Sequence, residues 1–241
     1  MSYKTGLEFI EKTKYPHMKY SEQDRGLPQP ALEEPFASSF APIQLPDPSL
    51  ISNPIIEVID RRASLRTYHE DPISPLELSY LLWCTQGIRK RLPQATLRTV
   101  PSAGARHAFE TYILVNHVEG FEPGLYRYLA GEHQIQEYIH GTDIAAKITQ
   151  ASGGQEFLQE CAVTFLWVAI VKRMTWRYQE RGYRYLFIDA GHVCQNLYLA
   201  AESIGCGACA VAAYDDDNMN TLLGLDGIEQ FVIYLAAVGK R

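Results

Sequence analysis

Blocks of hydrophobic and polar residues along the chain predict both helices and strands. Apolar side chains recur at helical spacing over residues 183–204 and stop at Gly205, which predicts a long core helix. Ser74 and Glu77 have the spacing of a capping box, and Pro54 suits a first helical position. Helices are predicted at residues 53–62, 74–87, 142–151, 183–204 and 217–223.

Short segments rich in β-branched and aromatic residues predict strands between these helices. Residues 161–171 are nearly all apolar, which indicates a central strand buried on both faces. Residues 124–128 and 134–138 predict a hairpin across a turn that contains glycine. Further strands are expected at residues 111–115, 209–213 and 231–238. The helices and strands do not alternate as regular βα units, so the fold class is α+β.

The N-terminal quarter of the chain has a different composition. Residues 1–53 hold seven of the 13 prolines and little apolar periodicity, so they cannot form a core of their own. They predict an extended arm that lies on the body or on a partner subunit. Residues 54–241 are then predicted to form the single folded domain.

Charge and cysteine content limit the classes of function. The net charge of −6 argues against a nucleic-acid or anionic-membrane partner, because a surface that tracks phosphates needs an excess of Lys and Arg. No apolar segment approaches the roughly 18 residues of a membrane span, and the N-terminus has no signal-peptide pattern, so a cytoplasmic location is expected. Five cysteines, an odd and sparse number, indicate reduced thiols.

A first candidate site consists of Arg62, Ser64 and Arg66. These residues alternate along the chain, so in an extended segment their side chains lie on one face. Two guanidinium groups and a hydroxyl suit a phosphate or the polar edge of a planar ring. Taken alone, the same residues also fit a solvated basic turn.

A second candidate is the run of small residues Pro101, Ser102, Ala103, Gly104 and Ala105, which leads into a strand. Small side chains let backbone N–H groups approach a flat aromatic ligand closely. A plain tight turn explains this segment equally well.

The order of several such segments carries more information than any one of them. Five segments occur in this order along the chain: Arg62-x-Ser64-x-Arg66, Pro101–Ala105, Gly124-Leu-Tyr-Arg-Tyr128, Asp189-Ala-Gly-His192 and Val238-Gly239. This collinear set resembles the SagB-type branch of the FMN-dependent nitroreductase superfamily. The resemblance covers nearly the whole chain and includes Thr13-Lys14-Tyr15 in the arm.

The resemblance implies an α+β fold with a mixed central sheet flanked by helices. It also implies an intertwined homodimer with two FMN sites at the subunit interface, each built from both chains. By this comparison Arg62, Ser64 and Arg66 hold the phosphate and ring edge of the flavin. The remaining implied contacts are Pro101, Ser102, Ala103 and Gly104 from the partner subunit, Val211, Ala212 and Ala213 near flavin N5, and Lys240 and Arg241 at the phosphate.

The implied activity is hydride transfer through flavin N5 to or from a small organic or peptide-borne substrate, with NAD(P)H as a possible electron donor. The flavin performs this chemistry, so a catalytic triad is not expected. A flavin carrier or scaffold protein of a biosynthetic complex, without turnover, is the alternative. Flavin-consuming enzymes of the same superfamily are a third class, which no feature of the sequence favours.

Two residues are candidates for proton transfer. His192 lies on the predicted core helix and could donate a proton over the flavin, or be a structural histidine. Tyr178 follows Arg177 where azoline-oxidising members of the branch carry a Lys-Tyr pair, and arginine cannot replace lysine as a general base. The Arg- and aromatic-rich residues 176–185 fit a substrate lip or an interface equally well.

Two further chemical possibilities are less favoured. Cys206 and Cys209 have the spacing of a redox motif but lack its usual context, so inert thiols are the preferred interpretation. The histidines show no metal-ligand spacing, and no metal is expected.

Overall fold

The computed structural model describes residues 8–9, 12, 17, 20–36, 38–47 and 54–241. Its nine strands are β1 (Ile43–Gln44), β2 (Ile88–Leu92), β3 (Ala95–Arg98), β4 (Phe109–Val115), β5 (Gly124–Leu129), β6 (Gln134–His140), β7 (Val163–Ile170), β8 (Cys206–Val211) and β9 (Gln230–Lys240). Its helices are α1 (Ile55–Arg61), α2 (Pro75–Gln86), α3 (Asp143–Ala151), α4 (Phe157–Glu160), α5 (Val171–Tyr178), α6 (Arg181–Ser203) and α7 (Asp216–Leu222).

Seven strands form one sheet in the order β1-β6-β5-β4-β7-β9-β8, and helices flank it, which confirms the predicted α+β class. All pairings between these named strands are antiparallel. At the β8 edge, the parallel element is an isolated bridge between Ser64 and Ala208.

The core lies on both faces of β7. All eight residues of this strand are buried, as the apolar run predicts. Phe165 and Trp167 pack on the face that α2 and α6 cover. Leu166 and Val168 pack on the opposite face, beneath α3 and α7. The long helix α6 thus lies against the sheet next to its β8–β9 edge.

Several predicted bounds differ from the structure. The strand expected at 209–213 is β8, which begins at Cys206 and ends at Val211, so Ala212 and Ala213 lie in the loop after it. Helix α1 begins at Ile55, with Pro54 at the N-cap, and Asn53 lies outside the described residues. The β2–β3 hairpin was not predicted, because its strand β2 carries exposed Arg and Lys without an apolar face.

The described part of the arm lies on the sheet of its own chain. Strand β1 pairs with β6, and Arg173, which is 2% exposed, donates through Nε to the carbonyl oxygen of Ala31 at 2.8 Å. The backbone N–H of Glu34 donates to Glu110 at 3.0 Å. Burial opposes ionisation of Glu110, yet the guanidinium groups of Arg173 and Arg127 hold its pKa below its ordinary value. This buried charge network anchors the arm; Thr13, Lys14 and Tyr15 lie outside the described residues.

None of the helices in the described part of the chain is long and apolar enough to cross a membrane.

Candidate functional site

Residues 62–69, here called the strap, run past the ends of β8 and β9. The backbone N–H of Leu65 donates to the carbonyl oxygen of Ala208 at 2.9 Å, and that of His69 donates to Lys240 at 3.0 Å. The side chains of Ser64 and Arg66 are exposed on the strap, and Arg62 is half-buried. The structure therefore brings Arg62, Ser64 and Arg66 together beside the sheet edge, as expected for an extended segment.

Tyr198 on α6 connects the strap to β8. Its hydroxyl accepts a hydrogen bond from the backbone N–H of Ala210 at 2.8 Å and lies 3.0 Å from Ser64 Oγ. The guanidinium carbon of Arg62 lies 5.4 Å from the centre of the Tyr198 ring, within cation–π distance. One aromatic residue thus contacts two of the three candidate strap residues.

The basic side chains near this edge differ in their partners. Within the described residues, Arg62 and Arg66 pair with no carboxylate. Lys240 pairs with Glu77, and Arg241 pairs with Glu202. The strap arginines are therefore available to an anion, whereas Lys240 and Arg241 are already neutralised.

Arg66 also contacts β8 through Cys209. Burial raises the pKa of the Cys209 thiol, and a hydrogen bond with the Arg66 guanidinium opposes that rise. Burial raises the pKa of Cys206 to about 12. Because the two cysteines are three residues apart in one strand, their side chains point to opposite faces of the sheet. This placement separates the sulfur atoms of the Cys-x-x-Cys sequence.

The Pro101–Ala105 segment is held against α6 by Asp189. The backbone N–H of Ala103 lies 3.3 Å from both carboxylate oxygens of Asp189, and the backbone N–H of His107 donates to Ser102 Oγ at 2.9 Å. Burial raises the pKa of Asp189, while hydrogen bonds from Ser102 and Ala103 partly offset this.

The backbone of this segment is strained. Gly104, Ala105 and His107 all have positive φ values, of 57°, 53° and 44°. Such conformations cost free energy in residues with a side chain, and they persist only where surrounding contacts enforce them. The contacts to Asp189 and Ser102 supply that enforcement here.

Tyr178 lies against this strained segment. A Cβ atom at Gly104 would lie 2.6 Å from the Tyr178 hydroxyl oxygen, so only glycine allows this approach. The Tyr178 ring lies 4.7 Å from that of Tyr185, and the Arg177 guanidinium lies 5.6 Å from the Tyr178 ring. The structure therefore brings the candidate Tyr178 to the segment expected to face the flavin.

The other candidates occupy separate positions. His192 is exposed on α6, one turn after Asp189. Val211 is buried at the end of β8, and Ala212 and Ala213 are exposed beyond it. The carbonyl oxygen of Ala213 accepts a hydrogen bond from Gln155 at 3.0 Å, which holds this loop in place.

Asp189 and Tyr198 lie on opposite sides of helix α6. They are nine residues apart in α6, which corresponds to two and a half turns and about 13 Å along the axis. The Pro101–Ala105 segment on Asp189 and the strap on Tyr198 are therefore apart within one chain. The structure does not bring these two sets of predicted cofactor contacts together in a single subunit.

Sequence reasoning missed the roles of Tyr198 and of Arg106. Arg106 donates to the carbonyl oxygen of Gly104 at 3.0 Å and stacks on Trp176. The contacts of Tyr198 with Ser64 and of Arg106 with Trp176 join segments distant in the sequence, so local spacing does not reveal them. The helical period alone could have placed Tyr198 opposite Asp189.

Comparison with known proteins assigns the chain to a family. The model described as "Nitroreductase family" matches residues 59–240. The chain belongs to the nitroreductase family. The chain is 33% identical over 199 residues to a nitroreductase-like protein of Methanocaldococcus jannaschii, an alignment that covers 83% of this chain and 96% of that protein.

Two further relatives extend the comparison. The nitroreductase chain is 29% identical over 137 residues to the trifolitoxin-processing protein TfxB of Rhizobium leguminosarum bv. trifolii, covering 54% of this chain and 36% of that protein. Its fold matches the crystal structure of a nitroreductase-like protein of Ralstonia eutropha with a TM-score of 0.70 and 24% identity, covering 89% of this chain and 94% of that one. The family makes oxidoreductase chemistry the coarse function of this chain.

Proposed function

We propose that this nitroreductase is an FMN-dependent oxidoreductase of the SagB type. The observation that carries the proposal is the strap, where two arginines that pair with no carboxylate in the described part of the chain flank an exposed serine in an acidic protein. A flavin phosphate carries about −1.5 to −2 charge and accepts several charge-assisted hydrogen bonds. The residues present therefore fit a phosphate-bearing flavin.

In this proposal different residues of the chain bind the phosphate and the ring of the flavin. Arg62, Ser64 and Arg66 hold the phosphate and the ring edge, and the backbone from Val211 to Ala213 lines the ring. Lys240 and Arg241 lie at the same sheet edge, and each would exchange its carboxylate partner, Glu77 or Glu202, for the phosphate. FMN, when bound, would supply hydride transfer at N5.

We further propose that the site is completed by a second copy of the chain. Within one subunit the strap and the Pro101–Ala105 segment contact opposite sides of α6, so a ligand that touches both needs two chains. Apolar side chains of α1 and α6 are exposed in the monomer, which suits an interface. Ser102, Ala103 and Gly104 would then approach the flavin from the partner subunit.

The trifolitoxin-processing relative supports the proposed substrate class. TfxB is named for processing trifolitoxin, and we propose a small organic or peptide-borne substrate here, with NAD(P)H as a possible electron donor. The Tyr178 hydroxyl lies at the Gly104 segment and is the proposed proton donor there, whereas an arginine such as the neighbouring Arg177 does not serve as a general base. His192 is the second proton-transfer candidate, exposed on α6.

Two measurements on the purified protein test the proposal. Flavin released by denaturation is expected to be FMN, and NADH or NADPH is expected to bleach the absorbance of the bound flavin. An apoprotein that does not bind added FMN would contradict the proposal. Bound FMN that neither nicotinamide donors nor azoline peptides change would instead favour the non-catalytic carrier or scaffold.

A further inference from the structure

Tyr198 lies where the strap, α6 and β8 meet. We propose that Tyr198 is a positioning residue, whose hydroxyl directs the proton of Ser64 toward the phosphate of the bound flavin. This inference rests on the proposed function, because it assumes that the anion at the strap is a phosphate.

The direction of the first hydrogen bond is fixed by chemistry. The backbone N–H of Ala210 can only donate, so the Tyr198 oxygen accepts from it at 2.8 Å. The Tyr198 hydroxyl keeps its own proton for another acceptor. Ser64 Oγ lies 3.0 Å away, and this contact alone allows either oxygen to donate.

A phosphate removes this ambiguity. Its ionised oxygen atoms only accept hydrogen bonds, and a serine hydroxyl has one proton to give. When Ser64 donates that proton to the phosphate, its oxygen must accept from Tyr198. The result is a relay in one direction, from Ala210 N–H through Tyr198 and Ser64 to the phosphate, in which each bond strengthens the next.

The ring and the hydroxyl of Tyr198 have separable effects. The ring lies beneath the Arg62 guanidinium at 5.4 Å, and phenylalanine keeps that contact. Tyr198→Phe therefore removes only the relay hydroxyl. Tyr126→Phe is a matched control, because it also removes a hydroxyl that makes one hydrogen bond, here to the carbonyl oxygen of Glu122 at 2.8 Å. Tyr126 lies in β5, which β4, β7 and β9 separate from β8.

A double-mutant cycle on FMN affinity tests the relay. Calorimetry with the apoprotein gives the Kd for wild type, Tyr198→Phe, Ser64→Ala and the double variant. Tyr198→Phe is expected to weaken FMN binding about five- to tenfold, as for the loss of a hydrogen bond near a charged group. In the Ser64→Ala background the same change is expected to have no effect, and Tyr126→Phe is expected to leave the Kd unchanged.

Riboflavin provides a second measurement, because it lacks the phosphate. Its affinity is expected to be the same for wild type and Tyr198→Phe. An equal loss in both Ser64 backgrounds, an equal loss for FMN and riboflavin, or no loss at all would overturn the relay while leaving the proposed function intact. A wild-type apoprotein that binds no FMN would overturn the proposed function itself, and the relay with it.

Discussion

Gly207 and Gly239 lie opposite each other in the register of β8 and β9, and the strap crosses directly above both. A Cβ atom at Gly207 would lie 2.4 Å from a methyl carbon of Leu65, and one at Gly239 would lie 2.7 Å from the Tyr68 ring. The missing side chains thus create the space in which the strap lies. The sheet edge and the candidate anion site are therefore coupled by packing.

This packing predicts the effect of adding one methyl group. Gly207→Ala is expected to lower the free energy of unfolding by about 1–3 kcal/mol, because overpacking forces the strap to shift. Gly239→Ala is also expected to lower the free energy of unfolding. This loss should be smaller in a Tyr68→Ala background, because that change removes the clashing ring. Urea denaturation of Gly207→Ala and of the four proteins in the Gly239–Tyr68 cycle provides the measurement. Full stability of Gly207→Ala would show that the strap moves freely.

Asp189 predicts a pH-dependent difference in stability. Burial raises its pKa in the folded state, so the folded protein favours the neutral form. Stability linked to this group is present below the ordinary pKa of aspartate and is lost as pH rises through the raised value. The stability of Asp189→Asn relative to wild type is therefore expected to rise as pH increases from the ordinary aspartate pKa through the raised value, and to stay level above it. A difference in unfolding free energy that stays constant with pH would contradict this.

Asp226 serves as a control, because its pKa is shifted in the opposite direction from that of Asp189. Backbone N–H groups of Gln230, Ile228 and Glu229 donate to its carboxylate at 2.9, 3.0 and 3.0 Å and lower its pKa. Asp226→Asn is expected to lose stability at neutral pH, and this loss should disappear as pH falls through the lowered pKa. The two variants should therefore differ from wild type with opposite slopes.

The sequence predicted most of the fold for a physical reason. The buried strand β7 and the long helix α6 carry strong apolar patterns, and the structure has both within a few residues of the predicted bounds. The capping box is likewise present, with Ser74 and Glu77 bonded to each other's backbone. Such local signals depend only on nearby residues. The β2–β3 hairpin lacks an apolar face, and α5 follows β7 without a break, so neither could be recognised.

The sequence predicted which residues belong to the candidate site, but not which of them contact or pair with one another. The alternation of Arg62, Ser64 and Arg66 indicated a shared face; in the structure Arg62 and Ser64 both contact Tyr198, whereas Arg66 contacts Cys209. The ion pairs of Lys240 with Glu77 and of Arg241 with Glu202 join residues more than thirty positions apart. No local pattern reveals such pairs, because they depend on how α2 and α6 pack against the end of β9.

The exposed apolar residues of α1 and α6 predict how the proposed dimer can be disrupted. Ile56 is 76% exposed, and Ile55, Ile59, Phe187 and Ile188 are also exposed. Ile56→Glu is expected to shift the protein to the mass of one chain in light scattering, because it would bury a charge in the interface. Ile228→Glu, at an exposed residue before β9, is the control and should keep the mass of two chains. A wild-type protein with the mass of one chain at micromolar concentration would contradict the dimer.

Arg66 gives the most direct test of the proposed anion site, because two interpretations of it make opposite forecasts. If Arg66 is only a solvated turn residue, Arg66→Ala should change the free energy of unfolding by no more than about 0.5 kcal/mol and leave FMN affinity unchanged. If it holds the flavin, loss of a charge-assisted hydrogen bond should cost roughly 1.5 to 3 kcal/mol of binding, or about ten- to a hundredfold in Kd.

The conservative substitution separates charge from geometry at this position. Arg66→Lys should recover only part of the FMN affinity, because an ammonium group keeps the charge but lacks the planar guanidinium fork. Arg91→Ala is the matched control, since Arg91 is an exposed arginine of β2 that lies 3.6 Å from Glu132, outside the strap. Calorimetric titration of FMN into the four apoproteins should therefore rank Kd as wild type and Arg91→Ala, then Arg66→Lys, then Arg66→Ala. Equal Kd values for all four would remove Arg66 from the site, since a residue that contacts the ligand cannot be truncated without changing its affinity by a measurable factor.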